Sequence, residues 1–412
     1  IHAGLKSGKT SRVVACLIAF KTISFGPAVP DIVIYVDTGA DEMRRRAMEA
    51  LVNQKSPAAI QPLIRALEGK GAALRVLAAV ALGEMKAKEA AQPLLGRLDD
   101  SDWSMKKAAA QALAHIRVKE TIAPLLERFE AEKGLMKEVL HDTLVSITGQ
   151  DFKYRMDGWK KWWKRYGPTF KVPTEREVEI ARAKARAALK GYARPNARKY
   201  HRITTMSTKI IFIIDISASM KDKVVIPATA PDWVKERYPD RVKMEIAKKE
   251  LIEVLAGLKP NVYFNIVTFA GRVKSWKPNL VSGSSKNSAI KWVAKLKPIA
   301  SGGRRSSGTE QKTNTYGALM VAFGLADEAV PNWKARTKVD TIFLVTDGVP
   351  TVGEIIEVPK LVAAITDMNR SRGVVIHLIC FDKIAAKRLK YLAKSNGGEV
   401  VVQPSWGENP NE

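Results

Sequence analysis

A repeat of 31 residues runs through the first 150 residues of this 412-residue chain and limits what they can fold into. Pro62, Pro93 and Pro124 each precede a leucine near the start of an apolar stretch with helical spacing. A repeat of two short amphipathic helices cannot bury its apolar face alone. We therefore predict an all-α solenoid of stacked helix pairs over residues 1–150. The same period relates Leu51, Leu82, Leu113 and Leu144, and also Ala47, Ala78 and Ala109.

These proline and leucine positions resemble those of short HEAT-like repeats over residues 1–150. The resemblance implies an extended surface for a macromolecular partner, although the array could instead only support the second half of the chain. One period earlier, Cys16 aligns with Ala47 and Phe20 with Leu51. We therefore interpret the first residues as a degenerate leading repeat rather than as a signal peptide.

The net charge of +26 is densest in residues 151–206, which carry 16 Lys and Arg against 5 Asp and Glu. We predict a basic, aromatic helical connector here, with Trp159, Trp163 and Tyr166 on one helical face and a second helix over 174–190. Two interpretations stay open. The aromatic side chains could cover the end of the solenoid core, or the connector could bind RNA. The cations considered for RNA binding are Lys160, Lys161, Lys164, Arg165, Arg182 and Arg186.

From residue 207 the pattern changes to alternating strands and helices. Lys209 to Asp215 is a continuous apolar run that ends in a carboxylate, which is typical of a buried parallel strand. The fold class is thus multi-domain, with the solenoid followed by an α/β doubly wound, Rossmann-like domain over 207–412. Further strands are predicted at 262–269, 272–275, 340–346, 374–380 and 399–403, and helices at 315–329, 357–371 and 384–394.

Oxygen-bearing side chains gather at the carboxyl edge of the predicted sheet, where ligands of such sheets bind. The first strand ends in Asp215, with Ser217 and Ser219 following, while Thr313 opens a helix and Asp347 follows a later strand. No histidine or cysteine belongs to this set. Carboxylate and hydroxyl oxygens suit a hard cation, so we predict Mg²⁺ first and then Mn²⁺ or Ca²⁺.

The same five positions resemble the metal-ion-dependent adhesion site of von Willebrand factor type A domains, and the resemblance covers about residues 207–405. It implies that Ser217, Ser219 and Thr313 offer hydroxyls to the ion, and that Asp215 and Asp347 act directly or through water. It also implies that an acidic residue of a protein partner completes the coordination.

Two segments depart from the family pattern. The family usually has small residues before the threonine, whereas a polar, basic stretch over 301–312 precedes it here. A proline-rich insertion over 221–241 is expected to overhang the metal face, where we place partner specificity.

The sequence favours a binding protein over an enzyme, because none of the 5 histidines lies in a catalytic motif and the α/β half has no cofactor fingerprint. We predict a metal-dependent protein-binding or scaffold protein. The alternative is RNA binding, in a layout that resembles Ro ribonucleoprotein autoantigens. No stretch reaches the roughly 20 apolar residues of a membrane span. Cys16 and Cys380 are predicted as buried thiols, the cytoplasm is slightly favoured, and the oligomeric state stays open.

Overall fold

The computed structural model describes residues 1–188, 198–201, 203–226, 230, 232–299, 312–326 and 338–403. The chain divides into two compact units, Ile1–Pro195 and Asn196–Glu412. Cys16 and Cys380 are free and buried, as predicted. No helix among the described residues combines the length and the apolar composition that crossing a membrane requires.

The first unit is helical, and no strand occurs among its described residues, as the 31-residue period predicts. Its helices are α1 (His2–Leu5), α2 (Thr10–Phe20), α3 (Val29–Thr38), α4 (Asp41–Gln54), α5 (Ile60–Ala66), α6 (Ala72–Glu84), α7 (Ala91–Gly96), α8 (Trp103–Ile116), α9 (Ile122–Ala131), α10 (Gly134–Thr148), α11 (Met156–Tyr166) and α12 (Glu175–Ala188). Long and short helices alternate from α4 to α9. Each short helix carries the repeated proline in its first turn, where no intrahelical N–H is needed.

The repeated leucines and alanines form the buried line along which the long helices α4, α6, α8 and α10 pack on one another. Small alanines in the line let neighbouring helix backbones approach, and the leucines fill the space beside them. Cys16 and Phe20 occupy the equivalent places in α2 and are also buried. Fully buried on this line are Leu51, Leu82, Leu113, Leu144, Ala47, Ala78 and Ala109.

Gly83 marks a close approach between α6 and α8. A Cβ added to Gly83 would lie 2.8 Å from Cα and 3.0 Å from Cβ of Ala112, closer than packed carbon atoms come. The missing side chain therefore permits the spacing of these two helices. Gly96, near the end of α7, has helical backbone angles and nothing within 4 Å of an added Cβ.

We expect Gly83→Ala to destabilise the first unit by about 2 kcal/mol, because an extra methyl group overpacks the contact with Ala112. The matched change Gly96→Ala should be neutral or stabilise by about 0.5 kcal/mol, because it only removes backbone freedom from the unfolded chain. Urea unfolding of the 412-residue chain followed by far-ultraviolet circular dichroism measures both. Equal unfolding midpoints for the two variants would contradict this account of the helix spacing.

Helix α11 covers the end of the solenoid core with one tryptophan. Trp159 is fully buried, and its ring meets Phe129 edge-on with 6.5 Å between the centroids. Its Nε1 donates to the Lys153 carbonyl at 3.0 Å. Helix α11 contains all three residues of the predicted aromatic face, but the cover is partial, because Trp163 is half-buried and Tyr166 is exposed.

The second unit is an α/β unit. Its strands are β1 (Arg198–Tyr200), β2 (Ile203–Thr205), β3 (Lys209–Asp215), β4 (Tyr263–Phe269), β5 (Val273–Ser275), β6 (Val281–Ser282), β7 (Thr341–Thr346), β8 (Val375–Cys380) and β9 (Val400–Val402). Its helices are α13 (Asp232–Arg237), α14 (Lys243–Ala256), α15 (Lys286–Ala294), α16 (Thr315–Ala326), α17 (Val358–Asn369) and α18 (Lys383–Lys394).

The seven-stranded sheet has the order β5-β4-β3-β7-β8-β9, and β6 also pairs with β4. All its main strands are parallel, whereas β5 and β6 run antiparallel to β4. The chain goes from β3 to β4 on one side and returns to β7 on the other side of β3. The strand order therefore reverses between β3 and β7, as in the doubly wound fold that the sequence predicts.

Strand β3 is buried on both faces, which explains its unbroken apolar sequence. Ile210 and Phe212 belong to the core on one side of the sheet, and Ile211 and Ile213 belong to the core on the other. The alternation follows from the two-residue period of a strand. The polar Asp215 comes only at the point where the strand ends.

The sequence did not predict the hairpin of β1 and β2, which lies within the stretch assigned to the connector. Tyr200 and Ile203 of this hairpin are buried in the core of the second unit. The Tyr200 ring meets Phe212 of β3 edge-on, with 5.2 Å between the centroids. Strands of three residues among basic side chains carry too little periodicity to be recognised.

Candidate metal centre

The predicted site residues converge at the carboxyl ends of β3 and β7, where the strand order reverses. Asp215 is the last residue of β3, and Asp347 directly follows β7. Ser219 Oγ donates to Asp347 Oδ1 at 2.9 Å, and the hydroxyl oxygens of Ser217 and Ser219 lie 3.2 Å apart. Four of the five predicted residues thus form one hydrogen-bonded cluster at the end of β3: Asp215, Ser217, Ser219 and Asp347.

Asp215 is fully buried and held at both carboxylate oxygens. Its Oδ1 accepts from the backbone N–H of Ser217 at 2.8 Å, a local turn typical of aspartate. Its Oδ2 accepts from the hydroxyl of Thr346 at 2.7 Å. Thr346, on the neighbouring strand, is a positioning residue that sequence reasoning missed, because its apolar surroundings suggested only a strand end.

Thr313 is brought to the same edge by the loop that follows β7. Its backbone N–H donates to Thr351 Oγ1 at 2.8 Å, and its carbonyl accepts from the Thr351 N–H at 2.9 Å. The next residue, Asn314, donates its N–H to the Ala270 carbonyl just after β4, at 2.9 Å. A Cβ added to Gly348 would lie 3.9 Å from Thr313 Oγ1, which places this hydroxyl beside the loop that carries Asp347.

The two carboxylates destabilise each other. Burial, and after it the negative charge of Asp347, raise the pKa of Asp215 to about 6. A bound cation would relieve both effects, and the carboxylate and hydroxyl oxygens suit a hard divalent ion. Among the described residues no group of three or more His, Cys, Asp or Glu side chains is placed to hold an ion. An ion at this edge would therefore depend on the hydroxyls as well.

Lys243 is a member of the site that the sequence did not reveal. It is the first residue of α14, and its Nζ lies 2.8 Å from Asp347 Oδ2 and 3.4 Å from the Ser219 carbonyl. The ammonium therefore contacts the same carboxylate that the resemblance assigns to the metal. The insertion separates Lys243 from the Asp215 segment, so no local motif connects them.

The insertion expected to overhang the metal face has a closed base beside the site. Val224 donates its N–H to the Arg241 carbonyl at 2.8 Å, and Lys243 donates its N–H to the Asp222 carbonyl at 3.1 Å. Within the insertion, Arg237 Nη2 donates to Glu250 Oε1 of α14 at 2.7 Å. Residues 227–229 and 231 lie outside the described residues.

The basic stretch that departs from the family pattern also lies almost wholly outside the described residues, which exclude 300–311. Lys312, its last residue, is exposed. Its effect on the site stays a prediction.

Comparison with protein families identifies both parts of the chain. Residues 29–114 and 71–140 match HEAT repeats, and residues 209–411 match the von Willebrand factor type A domain. Inter-alpha-trypsin inhibitor heavy chain H4 of Homo sapiens is 31% identical over 155 residues, which cover 37% of this chain and 13% of that protein. Heavy chain H1 of Sus scrofa is 25% identical over 203 residues, which cover 48% of this chain and 19% of that protein.

The chain thus spans less than a fifth of the length of these two curated relatives. Among solved structures, a von Willebrand factor type A protein from Catenulispora acidiphila is similar to 49% of this chain over 40% of its own chain. Its sequence identity is 21% and its TM-score 0.32.

We expect Asp215→Asn to stabilise the metal-free protein at pH 7.5. In the folded state the pKa of Asp215 rises from 3.8 to about 6, so the folded protein binds its proton more tightly than the unfolded chain does. Stability from this group is therefore gained as the pH falls towards 4 and lost as the pH rises through 6. The shift corresponds to at most about 3 kcal/mol.

Melting temperatures in chelator at pH 5 and pH 7.5 measure this effect as the difference between wild type and variant. Glu357→Gln is the control, because Glu357 is an exposed carboxylate paired with Lys360. An Asp215→Asn protein with the same pH dependence as wild type would rule out a strained carboxylate at the end of β3.

Proposed function

Because residues 209–411 are a von Willebrand factor type A domain and HEAT repeats precede it, we propose that this protein is a divalent-metal-dependent, protein-binding scaffold. The observation that carries the proposal is the convergence of two buried carboxylates and three hydroxyls where the strand order reverses. The ion, Mg²⁺ first and then Mn²⁺ or Ca²⁺, is held by Asp215, Ser217, Ser219, Thr313 and Asp347. An acidic residue of the partner completes its coordination.

The charge of the site supports an acidic partner residue. Two carboxylates neutralise a divalent ion, and the hydroxyl ligands add no charge. While the ammonium of Lys243 stays beside Asp347, from which it lies 2.8 Å, the site with its ion carries one positive charge in excess. An incoming carboxylate therefore gains attraction at a largely buried site, where charges are weakly screened.

A non-enzymatic role fits the relatives, since von Willebrand factor type A domains and inter-alpha-trypsin inhibitor heavy chains are generally interaction modules. This chain covers only 13% of the human H4 protein, so the partners of that protein do not identify the partners of this chain. The function proposed here rests on the metal centre.

The first unit offers a second surface for a scaffold. A groove with a volume of about 1020 Å³ lies between α6, α8, α10 and α12. Its lining alternates charges of both signs, such as Glu84, Arg117, Asp142 and Arg182. A mixed, polar groove of this kind suits a protein segment better than a uniformly negative polymer.

The alternative of RNA binding through the connector finds less support. Lys160 pairs with Glu130 at 2.7 Å, and Arg182 donates to Ser146 Oγ at 2.7 Å, so both cations already have partners within the first unit. Lys164 and Arg165 are exposed, and the side chain of Arg186 lies outside the described residues. These contacts favour metal-dependent protein binding over RNA binding, and a binding measurement in chelator separates the two.

We expect the 412-residue chain to bind one Mg²⁺ in calorimetry. In the presence of Mg²⁺, it should also be retained by immobilised peptides that carry a single central glutamate. The same peptides with glutamine in place of glutamate should not retain the protein, because an amide lacks the negative charge that the ion attracts. Chelator and Asp215→Ala should each abolish retention. The control Glu357→Ala removes an exposed carboxylate of the same unit and should change neither result.

Equal retention by glutamate and glutamine peptides, or retention in chelator, would contradict the proposed function. Single-stranded RNA binding that persists in chelator would favour the alternative instead. For six phosphate contacts its affinity should then fall with a logarithmic salt slope of roughly −4.

A further inference from the structure

We propose that Lys243 is the internal counter-cation of this site, and that a divalent ion must compete with its ammonium for Asp347. The inference rests on the proposed function, because it concerns the regulation of the same site. Lys243 belongs neither to the five predicted ligands nor to the strands that position them.

Both carboxylate oxygens of Asp347 are engaged by the chain itself. Oδ1 accepts from Ser219 Oγ at 2.9 Å, and Oδ2 accepts from Lys243 Nζ at 2.8 Å. The Asp347 side chain is 1% exposed and that of Lys243 is 16% exposed. The ammonium is thus largely shielded from solvent, and it neutralises the buried negative charge of Asp347.

The position of Lys243 on its helix argues for this role. As the first residue of α14 it lies at the positive end of the helix dipole, where a cation is unfavourable. A nearby anion has to offset that cost, and Asp347 is the carboxylate that contacts it. Lys248, further along α14, instead pairs with Glu245 of its own helix at 3.0 Å.

The ammonium can leave without disturbing the fold. The backbone of Lys243 is held by its N–H bond to the Asp222 carbonyl at 3.1 Å, which does not involve the side chain. Four rotatable carbons separate this backbone from the charge, so the side chain can turn towards solvent while the helix stays in place. Exchange of one cation for another therefore needs only a rotamer change.

Two states of the site follow. Without metal, Lys243 neutralises Asp347, so removal of the ion does not leave that buried carboxylate unpaired. With metal, the ion displaces the ammonium or binds against its repulsion. In either case Lys243 raises the ion concentration at which the site fills, and so sets the threshold for partner binding.

The test is Mg²⁺ affinity by calorimetry at constant ionic strength, which needs no partner. We expect Lys243→Met to bind Mg²⁺ roughly tenfold or more tightly than wild type, because the ammonium contacts Asp347 Oδ2 at 2.8 Å and so repels a second cation drawn to the same carboxylate at a partly buried site. Lys243→Gln should behave in the same way, and Lys243→Arg, which keeps the charge, should not bind more tightly. Lys248→Met is the matched control, because it removes one cation from the same helix outside the site.

A second measurement uses the metal-free protein. In chelator, Lys243→Met should lower the melting temperature, whereas adding it to Asp347→Asn should cause little further loss, because the anion is already absent. Fully additive losses would overturn the counter-cation role.

Equal Mg²⁺ affinities of wild type and Lys243→Met would overturn the competition while leaving the proposed function intact. No binding by any variant would overturn both. Tighter binding by Lys243→Met but not by Lys248→Met supports the inference.

Discussion

The parallel pairing of β3 with β7 sets Ile214 beside Val345, and this register determines what the carboxyl end of the sheet contains. It places Asp215 next to Thr346, which donates to it, and brings Asp347 one residue further along. A slip of one residue would exchange the side chains that β3 sends into the two cores and would separate Asp215 from the Thr346 hydroxyl. Burial on both faces thus holds together two carboxylates that would otherwise repel each other. The hydroxyls of Thr346 and Ser219 and the ammonium of Lys243 donate hydrogen bonds to these carboxylates.

Much of this arrangement is readable in the sequence, because the signals are local or periodic. The apolar run of β3 has the bounds predicted, and the helices α17 and α18 lie within two residues of their predicted limits. Helix α16 begins at the predicted residue 315, and its predicted end at 329 lies outside the described residues. The solenoid is equally predictable from the sequence, since each repeat packs mainly on its neighbours and so keeps the same residue period. Ser217 and Ser219 follow Asp215 so closely that a single turn presents all three.

Other features depend on contacts between distant parts of the chain, which no local pattern encodes. Lys243 and Asp347 are 104 residues apart, and Thr346 meets Asp215 across 131 residues. The β1–β2 hairpin is recognisable only once the core that receives Tyr200 exists. Likewise, Gly83 differs from Gly96 because Ala112 lies opposite it. That an ion occupies the site stays a prediction, because the sequence gives the donors and not their occupancy.

The closed base of the insertion has a consequence for how this surface can vary. Hydrogen bonds between Asp222 and Lys243 and between Val224 and Arg241 join the two ends of the segment to each other. The entropy of closing a loop grows only slowly with its length, so residues can be added between these two ends at little cost to the sheet while Val234 and Tyr238 keep their places in its core. The insertion is therefore a natural place for grafting foreign sequences: new recognition surfaces can be installed beside the metal centre while the residues that surround the ion keep their places.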